Sequence, residues 1–119
     1  MEKFNKIKVN SINELLKSLE LGKCAYRESW ITSEFEFKYI FKQIPAEIDR
    51  NIMPNMQSVP EDAKKIILRD NKLKSIKYLD QIVIVTTRTT GNKCDYDEIT
   101  YYQFSTTDLL SDDWYLINV

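Results

Sequence analysis

Apolar positions in this chain follow two periods, and the switches between them outline the fold. From Ser11 to Leu21 the apolar residues Ile12, Leu15, Leu16 and Leu19 recur at i, i+3, i+4 and i+7, which places one apolar stripe on a helix. Ser11 stands where an N-cap is needed and Glu14 follows three residues later, the spacing of a capping box. Gly22 supplies the left-handed residue that ends a helix. The stripe needs something to cover it, and the segments that follow predict a sheet. Cys24–Trp30 reads as a first strand. Over 35–44 the period changes to two: Phe35, Phe37, Tyr39 and Phe41 fall on one face, and Glu36, Lys38 and Lys42 on the other. The aromatic row is expected to be core and the charged face wet.

The middle is less regular. Residues 45–60 hold all three prolines, together with Asn51, Met53, Asn55 and Met56, and read as a plain loop or as the lining of a pocket or subunit contact. Residues 58–70 predict a second helix, with Ser58 and Glu61 spaced as a capping box and Pro60 in the first turn. Val59, Ala63, Ile66 and Ile67 would form its short apolar face. A strand through Ile66–Leu68 is the competing reading. Residues 80–88 are β-branched and suit a central strand. Gly91–Asn92 marks a turn. Residues 98–105 alternate and return as the hairpin partner, 106–113 suit a short helical turn with Leu109 and Leu110 in the core, and 114–119 close the sheet with Trp114 buried. The sum is a single α+β domain over 1–119. It has an antiparallel sheet of about five strands packed with an N-terminal helix and, if 58–70 is helical, a second short one.

Composition narrows the chemistry more than the fold. Of 119 residues, 43% are hydrophobic and 29% charged, the balance of a globular domain. Seventeen basic residues face eighteen acidic ones, interleaved along the chain, so the basic patch that duplex nucleic acid requires is not expected. There is no histidine, which removes the commonest general base and most zinc-site templates. Two glycines, Gly22 and Gly91, are too few for a glycine-rich phosphate cradle. No metal site and no cofactor is expected. The polar start, MEKFNKIKVN, does not resemble a signal peptide, and no apolar run is long enough for a spanning helix. A cytoplasmic protein with Cys24 and Cys94 both reduced is the expectation. The acid clusters Asp95/Asp97/Glu98 and Asp112/Asp113 read as solvated surface rather than as catalytic pairs, which need carboxylates in unlike environments.

Two stretches carry a family resemblance. Near the start, Ile12-x-x-Leu15-Leu16-x-x-Leu19-x-x-Gly22-Lys23 is followed by Arg27-x-x-Trp30. Near the end stands Tyr102-x-x-Ser105-x-x-Asp108-Leu109-Leu110-x-x-Asp113-Trp114. Together they resemble the small phage and bacterial family that includes the second type of Thoeris anti-defence protein. The terminal motif is the more specific of the two. Three positions depart from the family pattern: Glu28-Ser29 replaces a glycine before the first tryptophan, Tyr102 replaces a tryptophan, and Ser111 replaces an alanine. The resemblance implies a non-catalytic protein that binds a cyclic ADP-ribose isomer, the alarm signal of Thoeris defence, and so silences the effector. It further implies a homotetramer or homodimer in the cytoplasm of the bacterial host, and in some members a separate site for cyclic dinucleotides.

Within that frame eight residues are candidate ligand contacts, each with a structural alternative. Trp30 would stack an adenine or cap the core at a strand end. Arg27 would pair with a pyrophosphate or with a nearby acid. In a regular strand Arg27 and Trp30 point to opposite faces, so sharing a pocket needs a bulge or a subunit boundary. Ser105, Thr106 and Thr107 would seat an anion or cap the turn that follows. Asp108 would accept from ribose hydroxyls or simply complement that turn's dipole, and Asp113 would cap or pair locally. Tyr39 is the member of the aromatic row whose hydroxyl would reach a ligand. Tyr101 and Tyr102 point to opposite faces, and Tyr102 is the one on the motif. Two other function classes remain open: a nucleotide-processing hydrolase, and an interaction module without a small ligand.

Overall fold

In the computed structural model, residues 5–69, 75–78, 81–90 and 93–119 are described, those at 78, 90 and 93–96 by their backbone. The chain forms two compact units, residues 1–43 with 81–119, and residues 44–80.

The first unit begins with β1 (Asn5–Lys8), followed by α1 (Ile12–Glu20) and β2 (Cys24–Arg27). The hydroxyl of Ser11 accepts from Glu14 N at 3.1 Å, as the spacing predicts, but Glu14 reaches one residue further back, accepting from Asn10 N at 3.0 Å. At the other end Gly22 has φ +86°, Gly22 N donates to Leu19 O and Lys23 N to Ser18 O, both at 3.0 Å. These are the paired bonds of a Schellman turn, which absorb the last carbonyls of α1. A single turn of 3₁₀ helix (Glu28–Trp30) follows β2, and then β3 (Glu36–Lys42). The unit is completed after the second unit by strands, a short helix and a last strand, described below.

The second unit holds β4 (Ala46–Asp49), a 3₁₀ turn (Met53–Asn55), α2 (Glu61–Ile67) and β5 (Ser75–Tyr78). β4 and β5 pair antiparallel as a two-stranded sheet. Neither strand was evident in the apolar pattern: β4 occupies sequence read as loop, and β5 a stretch for which the pattern predicts no element. The second helix exists, but without the Ser58/Glu61 box: it starts after Pro60, which lacks a side-chain cap. Pro60 is extended (ψ 150°), and a proline disfavours helical backbone in the residue before it, so the helix cannot begin at Ser58. Lys64 is buried and stays satisfied, donating to Pro54 O and Glu61 Oε1, each at 3.0 Å.

The first unit resumes with β6 (Ile82–Thr90), β7 (Lys93–Tyr101), α3 (Thr106–Leu110) and β8 (Trp114–Asn118). The predicted turn at Gly91–Asn92 lies outside the described residues. The strands form one antiparallel six-stranded sheet in the order β1-β8-β2-β3-β6-β7. The fold is therefore α+β as expected, with more strands than the pattern suggested. β1 was missed because all four of its residues are exposed. It forms an edge, and Lys6 and Lys8 lay their ammonium groups over the Tyr115 ring at 4.7 and 5.0 Å. Lysines on an edge strand discourage pairing with other chains.

Register decides which face is which. Ala25 opposes Ile40 and Leu116, so these residues share a face. On that face Val9, Leu15, Leu19, Ala25, Ile40 and Trp114 form the buried core, beneath α1. The aromatic row Phe37, Tyr39 and Phe41 is on the opposite face and only half-buried, while Phe35 precedes the strand and is 52% exposed. The expectation that the row forms the core is thus overturned. The charged residues of β3 lie on the helix side, where they are satisfied by ion pairs: Glu36 with Lys38 and Arg88. Lys42 at the rim pairs with Glu20 of α1 at 2.7 Å. The aromatic face is built by ring contacts instead: Tyr26 packs edge-on to Phe37 at 5.3 Å and stacks with Tyr115 at 5.9 Å. Leu109 and Leu110, expected as core, are 44% and 82% exposed.

Candidate functional site

The two motif stretches meet at the end of the first unit where β2 and β8 leave the sheet. Arg27 opposes Trp114 in the β2–β8 pairing, which brings the last residue of β2 to the first of β8 and hence beside α3. Ser105 caps α3 in a full box: its hydroxyl accepts from Asp108 N at 3.0 Å, and Asp108 Oδ2 accepts from Ser105 N at 2.9 Å. The box aims the Asp108 carboxylate inward, where it is 4% exposed.

Buried carboxylates need partners, and the Asp108 carboxylate has two besides the Ser105 amide of the cap. Arg27 Nη1 donates to Oδ1 at 3.0 Å, and the Tyr102 hydroxyl donates to Oδ2. Arg27 Nε meanwhile donates to Asp113 Oδ1 at 2.9 Å. Asp113 Oδ2 accepts from Ser29 N at 3.0 Å, and its backbone carbonyl accepts from Glu28 N at 2.8 Å. One guanidinium thus bridges two carboxylates, and one of those carboxylates ties down the 3₁₀ turn. Trp114 Nε1 closes the cluster on Asp108 O at 2.9 Å.

An aromatic wall stands against this polar group. The Trp30 ring is edge-on to Trp114 at 5.2 Å and to Tyr102 at 5.6 Å. Phe104 packs against Tyr102 at 5.6 Å and Trp114 at 5.7 Å. Edge-to-face rings at such separations add stability beyond their area.

The electrostatics follow from these contacts. Burial disfavours the charged forms of Asp108 and Asp113. The hydrogen bonds from Tyr102, Ser105 and Arg27 to the first, and from Arg27 and Ser29 to the second, outweigh that penalty and hold both carboxyls below the usual range. The Tyr102 hydroxyl is driven well above its ordinary value by burial and by donating to Asp108. Burial alone would lower Arg27, but its two carboxylate partners raise it.

Of the eight predicted contacts, five are joined here by hydrogen bonds or ring contacts: Arg27, Trp30, Tyr102, Ser105 and Asp108; Thr106 and Thr107 open α3 directly after Ser105. The strand-geometry conflict between Arg27 and Trp30 is resolved because β2 ends at Arg27 and the 3₁₀ turn swings Trp30 off the strand path. Tyr39 is the outlier, on the other face of the sheet beside Phe37 at 5.9 Å. Arg27 and Asp108 are held by internal partners, and Ser105 serves as a cap. Trp30 and Tyr102 are half-buried, and Thr106 and Thr107 are exposed. The sequence reading undervalued Asp113, placed with Asp112 on the solvated surface. Asp112 is exposed, but Asp113 is at the centre of the cluster. Its position directly before a buried tryptophan is the signal that distinguishes it.

Two clefts lie elsewhere on the first unit. One of about 890 Å³ is lined by Tyr26, Phe37, Ile117 and the 31–34 segment among others; one of about 700 Å³ is lined by Phe41, Val83, Ile99 and Tyr101 among others. None of the eight predicted residues lines either. Among the described residues no group of three or more His, Cys, Asp or Glu side chains is placed to hold a metal ion, and no helix is long and apolar enough to cross a membrane. Cys24 is a free thiol whose pKa is raised by burial.

Comparison with known proteins agrees with the motifs. No individually curated protein matches the chain. One family profile, that of the Thoeris anti-defense 2-like domain, matches residues 10–117, from the cap of α1 to the end of β8. The match contains both motif stretches and every residue of the polar cluster, and on it the chain belongs to the Thoeris anti-defense 2-like domain family.

Proposed function

We propose that this domain counters Thoeris defence by binding and sequestering, without chemical change, a cyclic nucleotide signal of the cyclic ADP-ribose isomer class. The observation that carries the reading is the convergence of the two motifs on one cluster, within a chain of this family. There the half-buried rings of Trp30 and Tyr102 meet edge to face, and α3, capped in the same cluster, carries the exposed Thr106 and Thr107 in its first turn. Stacking of a base on an aromatic ring contributes about 1–3 kcal/mol. Hydroxyls on a first helical turn suit ribose or phosphate oxygens.

The roles divide by internal commitment: Arg27, Ser105 and Asp108 direct their side chains to one another and to Asp113. Trp30, Tyr102, Thr106 and Thr107 are the groups proposed to touch the ligand. Arg27, Ser105 and Asp108 hold them in place. Tyr39, on the other face, would reach the same ligand only from a second copy, which fits the proposed homodimer or homotetramer; a cyclic dinucleotide at a separate site is the alternative cargo. The proposed place of action is the bacterial cytoplasm, where the signal is made.

The test is a thermal-shift screen with cyclic ADP-ribose isomers and cyclic dinucleotides, followed by chromatography of the ligand released on heating. At a ligand concentration 100 times Kd the expected stabilisation is about 2.7 kcal/mol, with the ligand returned intact. Ligand returned altered, in more turnovers than protein molecules, would make the protein an enzyme. No shift with any nucleotide would favour an interaction module, a reading that the exposed Tyr101 (75%) and Leu110 (82%) would then support.

A further inference from the structure

We propose that Asp113 is a positioning residue for the ligand site: it sets the orientation of Trp30 through the 3₁₀ turn, without touching ligand itself. The inference rests on the reading of Trp30 as a ligand contact.

The geometry is specific. A strand that continued past Arg27 would carry residue 30 along the sheet, away from Tyr102. Three hydrogen bonds to Asp113 prevent this. Arg27 Nε at 2.9 Å fixes the side chain at the strand end, Ser29 N at 3.0 Å fixes the middle of the turn, and Glu28 N donates to the Asp113 carbonyl at 2.8 Å. The turn closes with Ile31 N on Glu28 O at 3.1 Å. Asp113 is anchored by the residue after it, since Trp114 is 2% exposed and tied to Asp108 O. A rigid buried element therefore holds a carboxylate, the carboxylate holds a turn, and the turn holds the half-buried ring. Ser29, directly before this tryptophan, contributes its backbone amide to the clasp.

An amide in place of the carboxylate keeps the shape but offers one acceptor oxygen where two donors, Arg27 Nε and Ser29 N, converge. Asp113→Asn is therefore expected to release one of them and loosen the turn. Arg27→Lys is a second, independent perturbation, because it retains charge and loses the fork.

Two measurements on the intact chain test the proposal. The first uses unliganded protein: the two tryptophan indole N–H resonances in a ¹⁵N correlation spectrum, assigned with Trp30→Phe. In Asp113→Asn and in Arg27→Lys the Trp30 resonance is expected to shift and broaden, while that of Trp114, bonded to Asp108 O, stays a single sharp line, which also reports that the core is folded. The second is titration, in a double-mutant cycle, with whichever cyclic ADP-ribose isomer gives the largest thermal shift. Trp30→Ala is expected to weaken binding about 5- to 150-fold, the fold-change corresponding to one stacked base. Asp113→Asn should weaken it about 10-fold in the wild type and not at all when Trp30 is already alanine. An unmoved Trp30 resonance in both variants, or additive losses in the cycle, would overturn the positioning role. Absence of binding to wild-type protein would instead overturn the ligand reading, with the indole resonances still deciding whether Asp113 orients Trp30.

Discussion

Asp108→Asn is the most informative single change to the polar cluster. The side chain is almost isosteric and 4% exposed, so packing is preserved and only charge and donor–acceptor pattern change. The wild-type carboxylate accepts from Arg27 Nη1 at one oxygen and from Ser105 N and the Tyr102 hydroxyl at the other. Asparagine has one acceptor oxygen, and its NH₂ must face either Arg27 or the Ser105–Tyr102 pair, donor against donor. A hydrogen bond to a charged group is worth about 1.5–3 kcal/mol, and a buried donor left unsatisfied costs about 1–3 kcal/mol. The expected loss is roughly 3–5 kcal/mol, the size found when one member of a buried ion pair is removed. For a chain of this length that lowers Tm by about 10–20 °C. Calorimetry or far-ultraviolet circular dichroism reads it directly. A variant melting within about 3 °C of wild type would refute the reasoning, since neutral-to-neutral surface changes produce effects of that size.

The same cluster fixes how stability depends on pH. Both Asp108 and Asp113 have folded-state pKa values below their ordinary ones. Their stabilising contribution is therefore complete above the unfolded-state value, about pH 4, and is lost as pH falls through the lower folded values. Wild type should lose stability steeply below about pH 4, and Asp108→Asn, lacking one of the two groups, less steeply. Equal slopes would mean that Asp108 does not titrate with unfolding.

Other parts of the molecule make separate tests. Gly22→Ala should destabilise by about 1 kcal/mol through the left-handed backbone alone, because a β-carbon there meets no atom within 4 Å; a loss above about 3 kcal/mol by chemical denaturation would point to a clash. Leu110→Ser should change stability by less than about 0.5 kcal/mol, given 82% exposure, and a larger loss would return Leu110 to the core. Cys24 should react with a thiol reagent near neutral pH much more slowly in the native than in the unfolded protein, since burial raises its pKa; equal rates would contradict that burial. If a nucleotide binds at the motif cluster, its affinity should fall little between low and moderate salt, and a steep loss would implicate basic residues elsewhere.

Elements that bury a one-sided apolar pattern were legible in the sequence. α1 begins and ends where Ser11 and Gly22 indicate, β3 and β8 fall within their predicted spans, and β6 runs two residues beyond its own. Strands held chiefly by backbone pairing were not legible. β1 carries no apolar face because it is an exposed edge, and β4 and β5 are four residues each in a two-stranded sheet. The aromatic row of β3 showed its period correctly and its side wrongly. Alternation reports that two faces differ, but the helix was placed by Ile40 and Ala25, smaller residues that leave room for α1. The candidate site was legible as a set of residues and not as a set of roles. The spacing of Arg27, Asp108 and Asp113 carries no sign that all three belong to one salt-bridged group, because Arg27 lies more than eighty residues from either acid. Only the Ser105–Asp108 box is local, and it was the part whose structural role was foreseen.

The charge count of the cluster constrains how a nucleotide would be recognised. One guanidinium and two ionised carboxylates leave the group net negative, so it does not attract a phosphate by field. Arg27 cannot transfer its fork to a pyrophosphate without stranding Asp108, whose side chain is 5% exposed, and a stranded buried charge costs more than a surface phosphate contact returns. Arg27 therefore acts in the architecture. Recognition on the proposed reading then falls to neutral groups at the rim: the Trp30 and Tyr102 rings and the hydroxyls of Thr106 and Thr107. Such a site discriminates by shape and stacking, which suits a cyclic ligand whose ring closure, rather than its charge, separates it from the abundant linear nucleotides of a cell. Rigidity is what that discrimination requires, and the buried ion triad, expensive to form and more expensive to break, supplies it where β2, α3 and β8 meet.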